Sequence, residues 1–126
     1  MDSTPSVPAK VLIVDDLEEA RWALSNLIRL AGFAPVAVAS GEEALAHVWH
    51  EAPDVVLLDV CLSDMDGFEV LTRVKVHDKT VPVIMMTAHG KTHDAVRAIR
   101  ARAYDYMAKP FNNEDVVLTV RRAIEE

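Results

Sequence analysis

A doubly wound parallel α/β fold is predicted for this 126-residue chain by three observations. Short, nearly uninterrupted apolar runs rich in Val and Ile recur at 11–14, 55–58 and 83–86, the pattern of parallel strands buried on both faces. Amphipathic helical patterns separate them. Strand and helix alternate five times, which implies right-handed crossovers that place helices on both sides of one sheet.

The first strand is Val11-Leu12-Ile13-Val14, and the helix after it carries Leu24, Leu27, Ile28 and Ala31 at i, i+3, i+4 and i+7, with Gly32 placed to stop it. A weaker strand is expected at 35–38. Ser40 and Glu43 then form a capping box that opens a second helix with Ala44, Leu45, Val48 and Trp49. Val55-Val56-Leu57-Leu58 is the third strand, and Phe68, Leu71 and Val74 mark the third helix. Val83-Ile84-Met85-Met86 is the fourth strand, with Val96 and Ile99 marking a fourth helix. Another weak strand is expected at 104–107, and Asn112 or Asn113 caps a fifth helix containing Val116, Val117, Val120 and Ile124. The whole reads as a flavodoxin-like (βα)5 three-layer sandwich with parallel sheet order 2-1-3-4-5. It is expected to form one domain over 9–126, after a polar, disordered leader over 1–8 that carries two prolines.

Composition narrows the function classes. The chain is 51% hydrophobic and 26% charged, ordinary for a soluble domain, and no apolar run approaches the length needed to cross a bilayer. The leader lacks the basic and then apolar regions of a secretory signal. The single cysteine, Cys61, excludes an internal disulfide and fits a reducing compartment, so a cytoplasmic location without a membrane partner is expected. A net charge of −7 argues against direct binding to nucleic acid, which needs clustered Lys and Arg.

The predicted strand order places the first and third strands at the topological switch point, where open α/β sheets bind ligands. Asp15 and Asp16 follow the first strand and Asp59 follows the third. Three converging carboxylates are hard ligands suited to Mg²⁺ or Mn²⁺, and a lone carboxylate beside the metal can serve as a nucleophile. Thr87 ends the fourth strand; Lys109 follows Tyr106-Met107-Ala108 and precedes Pro110. A hydroxyl, an ammonium, a metal-binding acidic pair and a separate carboxylate are what phosphoryl transfer onto Asp59 requires.

Each residue also has a plainer reading. An acidic pair at a strand end is often only helix amino-terminal charge; Thr87 alone reads as a cap, Lys109 as a surface lysine and Tyr106 as core packing. His47 and His50 lie one helical turn apart but lack a third ligand. The joint placement of Asp59, Thr87 and Lys109 at strand ends is what points to chemistry.

The segments Val11 to Asp16 (VLIVDD), Val56 to Gly67 (VLLDVCLSDMDG), Val83 to Gly90 (VIMMTAHG) and Tyr104 to Phe111 (YDYMAKPF) together resemble the receiver domain of bacterial two-component response regulators. The resemblance runs from Lys10 to Glu126. It implies that Asp59 is the phosphoacceptor of a cognate sensor histidine kinase. It further implies that Asp16, Asp59 and the backbone carbonyl of Cys61 ligate Mg²⁺, with Asp15 acting through water. Thr87 would bind a phosphoryl oxygen, Lys109 would pair with the acyl phosphate, and Tyr106 would be the switch aromatic. Cys61 and His89 occupy positions that tune the lifetime of the phosphoryl group, and the Lys109-Pro110 bond is expected to be cis. Such a domain catalyses its own phosphorylation and dephosphorylation rather than acting as an enzyme on a separate substrate. The segments MMTAHG, AYDYMAKPF and LTVRRAIEE are most similar to the amino-terminal receivers of nitrogen-regulator-type (NtrC-like) transcriptional activators. The expected output surface comprises the fourth helix, fifth strand and fifth helix, through which a homodimer is possible.

Two positions depart from the family pattern. Ser63 stands where proline is usual, which is expected to loosen the loop above the site, and Arg102 stands where glycine usually precedes the fifth strand. Alternative readings are a stand-alone single-domain receiver and, more remotely, a phosphohydrolase of the haloacid-dehalogenase type. The latter needs a second acid two residues after its nucleophile, where this chain has Cys61 after Asp59 and Leu17 after Asp15. A flavin binder is disfavoured because Asp15-Asp16-Leu17-Glu18-Glu19 would repel a phosphate.

Overall fold

In the computed structural model, which describes residues 7–88 and 92–125, five strands and five helices alternate. They are β1 (Lys10–Val14), α1 (Glu18–Leu30), β2 (Ala34–Val38), α2 (Gly41–Glu51), β3 (Val55–Asp59), α3 (Gly67–His77), β4 (Val83–Thr87), α4 (Thr92–Arg100), β5 (Asp105–Ala108) and α5 (Asn113–Glu125). All strand pairs are parallel, and the sheet order is β2-β1-β3-β4-β5, as the alternation predicts. The expected leader falls mostly outside the described residues, as does His89.

The period of two along a strand divides the core between the two faces. Leu12, Val14, Val56, Leu58, Val83 and Met85 pack on one side against Ala44 and Val48 of α2, Leu71 and Val74 of α3, and Ala98 of α4. The intervening residues Val11, Ile13, Val55, Leu57, Ile84 and Met86 pack on the other side against Leu24 and Ile28 of α1 and Val116 and Val120 of α5. Burial on both faces is what makes these strands read as unbroken apolar runs.

Local signals set the helix ends. The Ser40 side chain accepts the Glu43 amide, the first half of the predicted capping box, while the Glu43 carboxylate accepts the Ser40 hydroxyl. At α5 the capping oxygen belongs to Asn112, which accepts from the Glu114 amide at 2.7 Å. The helix after Asp59 begins almost on top of β3, because a Cβ on Gly67 would lie 2.5 Å from the Asp59 carbonyl oxygen. Glycine at 67 is therefore required by close approach.

Three expectations need correction. Among the α4 side chains described, Ala98 is the buried one, while Val96 and Ile99 are 45% and 62% exposed. A short side chain lets this helix sit close to the sheet and turns the larger pair toward solvent. Trp49 is half-exposed and stacks on His77 with ring centroids 3.9 Å apart, covering α3 rather than entering the core. The fifth strand is shifted one residue, to Asp105–Ala108, in register with Ile84 to Thr87. Just before it, Arg102 adopts φ +70°, the left-handed conformation for which glycine is the low-cost residue. The chain keeps the turn and accepts the strain.

Candidate phosphoacceptor and metal site

Sheet register assembles the site in steps. Val14 pairs with Leu58, so Asp15 and Asp59 emerge side by side. Asp59 pairs with Met86, which places Thr87 one residue beyond it, and Thr87 pairs with Ala108, which places Lys109 one residue further. The Lys109 amide donates to the Thr87 carbonyl at 2.6 Å, fixing that last step, and the Lys109-Pro110 peptide is cis.

The side chains then converge. Asp15 is fully buried, and Asp59 and Thr87 are 6% and 2% exposed. Lys109 Nζ lies 2.8 Å from Asp15 Oδ2 and 3.4 Å from Asp59 Oδ2. The remaining oxygens of these two acids accept backbone amides, Leu17 to Asp15 Oδ1 and Cys61 to Asp59 Oδ1, each at 3.0 Å. Arg21 Nη1 donates to the Asp15 carbonyl at 2.9 Å, bracing the turn from α1. Asp16 is half-buried, and its Oδ2 accepts from the Ser63 hydroxyl at 2.9 Å.

Ligand atoms of Asp15, Asp16 and Asp59 lie within 4.8 Å of one another, and among the described residues this is the one group of three or more such ligands. Among the described residues the cation that ion-pairs with these carboxylates is Lys109, leaving an excess of negative charge that a divalent, oxygen-seeking cation would balance. The donor set therefore fits Mg²⁺. Desolvation raises the Asp59 pKa, with the charge of Asp15 adding to it and the Cys61 amide and Lys109 only partly opposing it. Burial alone would lower Lys109; the Asp15 hydrogen bond and the Asp59 charge outweigh it and raise the ammonium's pKa instead.

Tyr106 projects from β5 and packs against the core beside α4. Its hydroxyl is enclosed with no well-formed hydrogen bond among the described residues. Burial pushes the phenol's pKa up, while the Thr87 hydroxyl is close enough to draw it partly back. Cys61 is exposed beside Asp59.

The loop that Ser63 is expected to loosen is instead tied on both sides. Ser63 reaches Asp16, and Asp64 accepts the Gly41 and Glu42 amides at 2.9 and 3.1 Å, which lowers its pKa. Cys61 and Asp66 form a bridge across the loop base. Arg97 of α4 lies over the Phe68 ring at 4.1 Å and 3.8 Å from Asp66, so the fourth helix rests on the start of the third. Ser63 and Asp64 are the residues that the sequence reading missed as participants. The available signal was a hydroxyl gained where proline is usual, beside a known acid.

The response regulator receiver domain family matches residues 11–121. The regulatory protein AtoC of Escherichia coli is 39% identical over 92% of this chain and 25% of its own length. The DNA-binding transcriptional regulator NtrC of Salmonella typhimurium is 39% identical over 90% of this chain and 24% of its own. The crystal structure of NtrX from Brucella abortus superposes with a TM-score of 0.88 at 34% identity, covering 94% of this chain and 27% of that one. The chain thus spans about a quarter of the length of these relatives. No helix among the described residues is long and apolar enough to cross a membrane. With its sheet order, its acidic crevice and a family match over nearly all of its length, the chain belongs to the response regulator receiver domains of two-component systems.

Proposed function

We propose that this domain accepts a phosphoryl group on Asp59 from a sensor histidine kinase and, so modified, changes the surface formed by α4, β5 and α5. The observation that carries the reading is geometric: the Lys109 ammonium lies between the buried carboxylates of Asp15 and Asp59, with Asp16 close enough to share a cation with both. In the step itself an Asp59 oxygen forms the new bond to phosphorus as the phosphorus–nitrogen bond of the donor phosphohistidine breaks, leaving the imidazole to take up a proton. Lys109 and Thr87 then hold phosphoryl oxygens. Asp16, Asp59 and the Cys61 carbonyl would bind Mg²⁺, with Asp15 acting through water; the cation supplies charge neutralisation for the transferring group. A groove of about 690 Å³ lined by Leu17, Ala20, Leu24, Lys109, Pro110 and Phe111 offers a donor protein an apolar surface beside the acceptor.

Thr87 and Tyr106 form the proposed switch, and Cys61 and His89 the residues that tune its lifetime. A hydroxyl drawn toward the phosphoryl group leaves the phenol room to settle inward, and α4 follows. The domain is a cytoplasmic signalling module with no direct contact to nucleic acid, and its relatives support a role as the amino-terminal part of an NtrC-like transcriptional regulator. Intact-mass measurement after incubation with acetyl phosphate tests the reading. One added phosphoryl group that requires Mg²⁺ and disappears in Asp59→Asn is expected; modification that ignores chelation or survives in Asp59→Asn refutes it.

A further inference from the structure

We propose that Ser63 is a positioning residue for the acidic site, its hydroxyl holding Asp16 in the pose from which that carboxylate joins Asp59 around a divalent cation. The inference rests on the reading of Asp15, Asp16 and Asp59 as a Mg²⁺ site. The three acids are fastened unequally. Asp15 is held by Lys109 and the Leu17 amide, and Asp59 by Lys109 and the Cys61 amide. Asp16 is less buried than either, and the side-chain bond that orients it is the one from Ser63, 47 residues away in sequence.

Ser63 is itself a fixed donor. Next to it, Asp64 is clamped to the first two amides of α2, and Met65 packs so closely on α2 that a Cβ on Gly41 would lie 2.4 Å from its side chain. On the other side the Cys61 bridge to Asp66 closes the loop. The hydroxyl thus joins the two loops that carry the ligands, and it occupies Oδ2 of Asp16 while leaving the other oxygen to a metal. A ligating carboxylate whose second oxygen is hydrogen-bonded is preorganised, and loss of such an outer partner weakens metal binding. Proline at this position has no donor and would have to leave Asp16 to solvent.

Calorimetric titration of the full chain with Mg²⁺, paired with thermal melting in metal-free buffer, tests the role. Ser63→Ala is expected to bind Mg²⁺ about tenfold more weakly, the lower end for an outer-shell partner because Ser63 is exposed to competing water. Ser63→Thr, which keeps the hydroxyl, is expected to recover most of that loss. Metal-free melting of Ser63→Ala should stay close to wild type. Unchanged affinity in Ser63→Ala, failure of Ser63→Thr to recover it, or a loss that only follows lowered metal-free stability overturns the role. Wild-type protein that takes up no Mg²⁺, or Asp16→Ala that binds it as well as wild type, overturns instead the metal site on which the role depends.

Discussion

Lys109 and Asp15, 94 residues apart in sequence, meet at 2.8 Å where β5 and β1 end, with the Asp15 side chain fully buried and the lysine 22% exposed. One cation thereby bridges two acids that the sheet forces together. Removing it leaves buried like charges unpaired, which costs on the order of 3 kcal/mol where a pair is fully enclosed and less at a partly exposed site such as this. Lys109→Ala should therefore melt lower than wild type in metal-free buffer while binding Mg²⁺ at least as well, and should be phosphorylated poorly. A melting temperature that does not fall would show that the contact contributes nothing to stability.

Asp59 has the opposite thermodynamic sign. Its folded pKa is raised above the ordinary value of 3.8, so the folded state holds that proton to higher pH than the unfolded chain does. The stability linked to it is present below 3.8 and lost as pH rises through the raised pKa. Asp59→Asn should then melt above wild type at pH 7 without metal, by roughly 4 °C if the relief is about 1 kcal/mol, and the gap should close on acidification. Melting curves across that pH range decide it; a variant less stable than wild type at pH 7 contradicts the direction. Mg²⁺ at a hundred times its dissociation constant should raise wild-type stability by about 2.7 kcal/mol.

Tyr106 tests the coupling. Its enclosed, poorly paired hydroxyl lies beside Thr87, and under the proposed switch its pose would follow the movement of the Thr87 hydroxyl. Structures with and without beryllofluoride should differ in the burial of the ring. Thr87→Ala should still accept phosphate, more slowly, while the ring no longer responds. The same ring position in both states, away from lattice contacts, contradicts the switch.

The α4, β5 and α5 surface combines exposed Val96 and Ile99 with Arg100, Glu114 and Asp115. Opposite charges can meet across a two-fold axis, and the apolar pair adds area. Sedimentation should show beryllofluoride favouring a dimer more strongly at low salt than at high. A species that stays monomeric in every condition leaves this surface to another partner.

The buried parallel strands were legible because two-sided burial writes the same apolar run at 11–14, 55–58 and 83–86. The acidic crevice followed, since strand order alone brings Asp15 and Asp59 together. Helix α4 was not legible in detail. Its contact to the sheet is made by Ala98, and alanine carries little signal in an apolar period. Strand β5 is only half-buried, so its ends shifted by one residue. Loop bonds such as Ser63 to Asp16 and Asp64 to Gly41 link positions 47 and 23 residues apart. No local pattern records them, because they depend on how two loops are set down after the sheet has formed.

The most direct measurement locates the phosphoryl group. After incubation with acetyl phosphate and Mg²⁺, borohydride reduction converts an aspartyl phosphate to homoserine, which peptide mass spectrometry assigns to a position. Homoserine at position 59, and its loss on chelation, is the predicted result. Homoserine at position 15 or 16, or at 59 regardless of the metal, would contradict the assignment of Asp59 as a Mg²⁺-dependent acceptor.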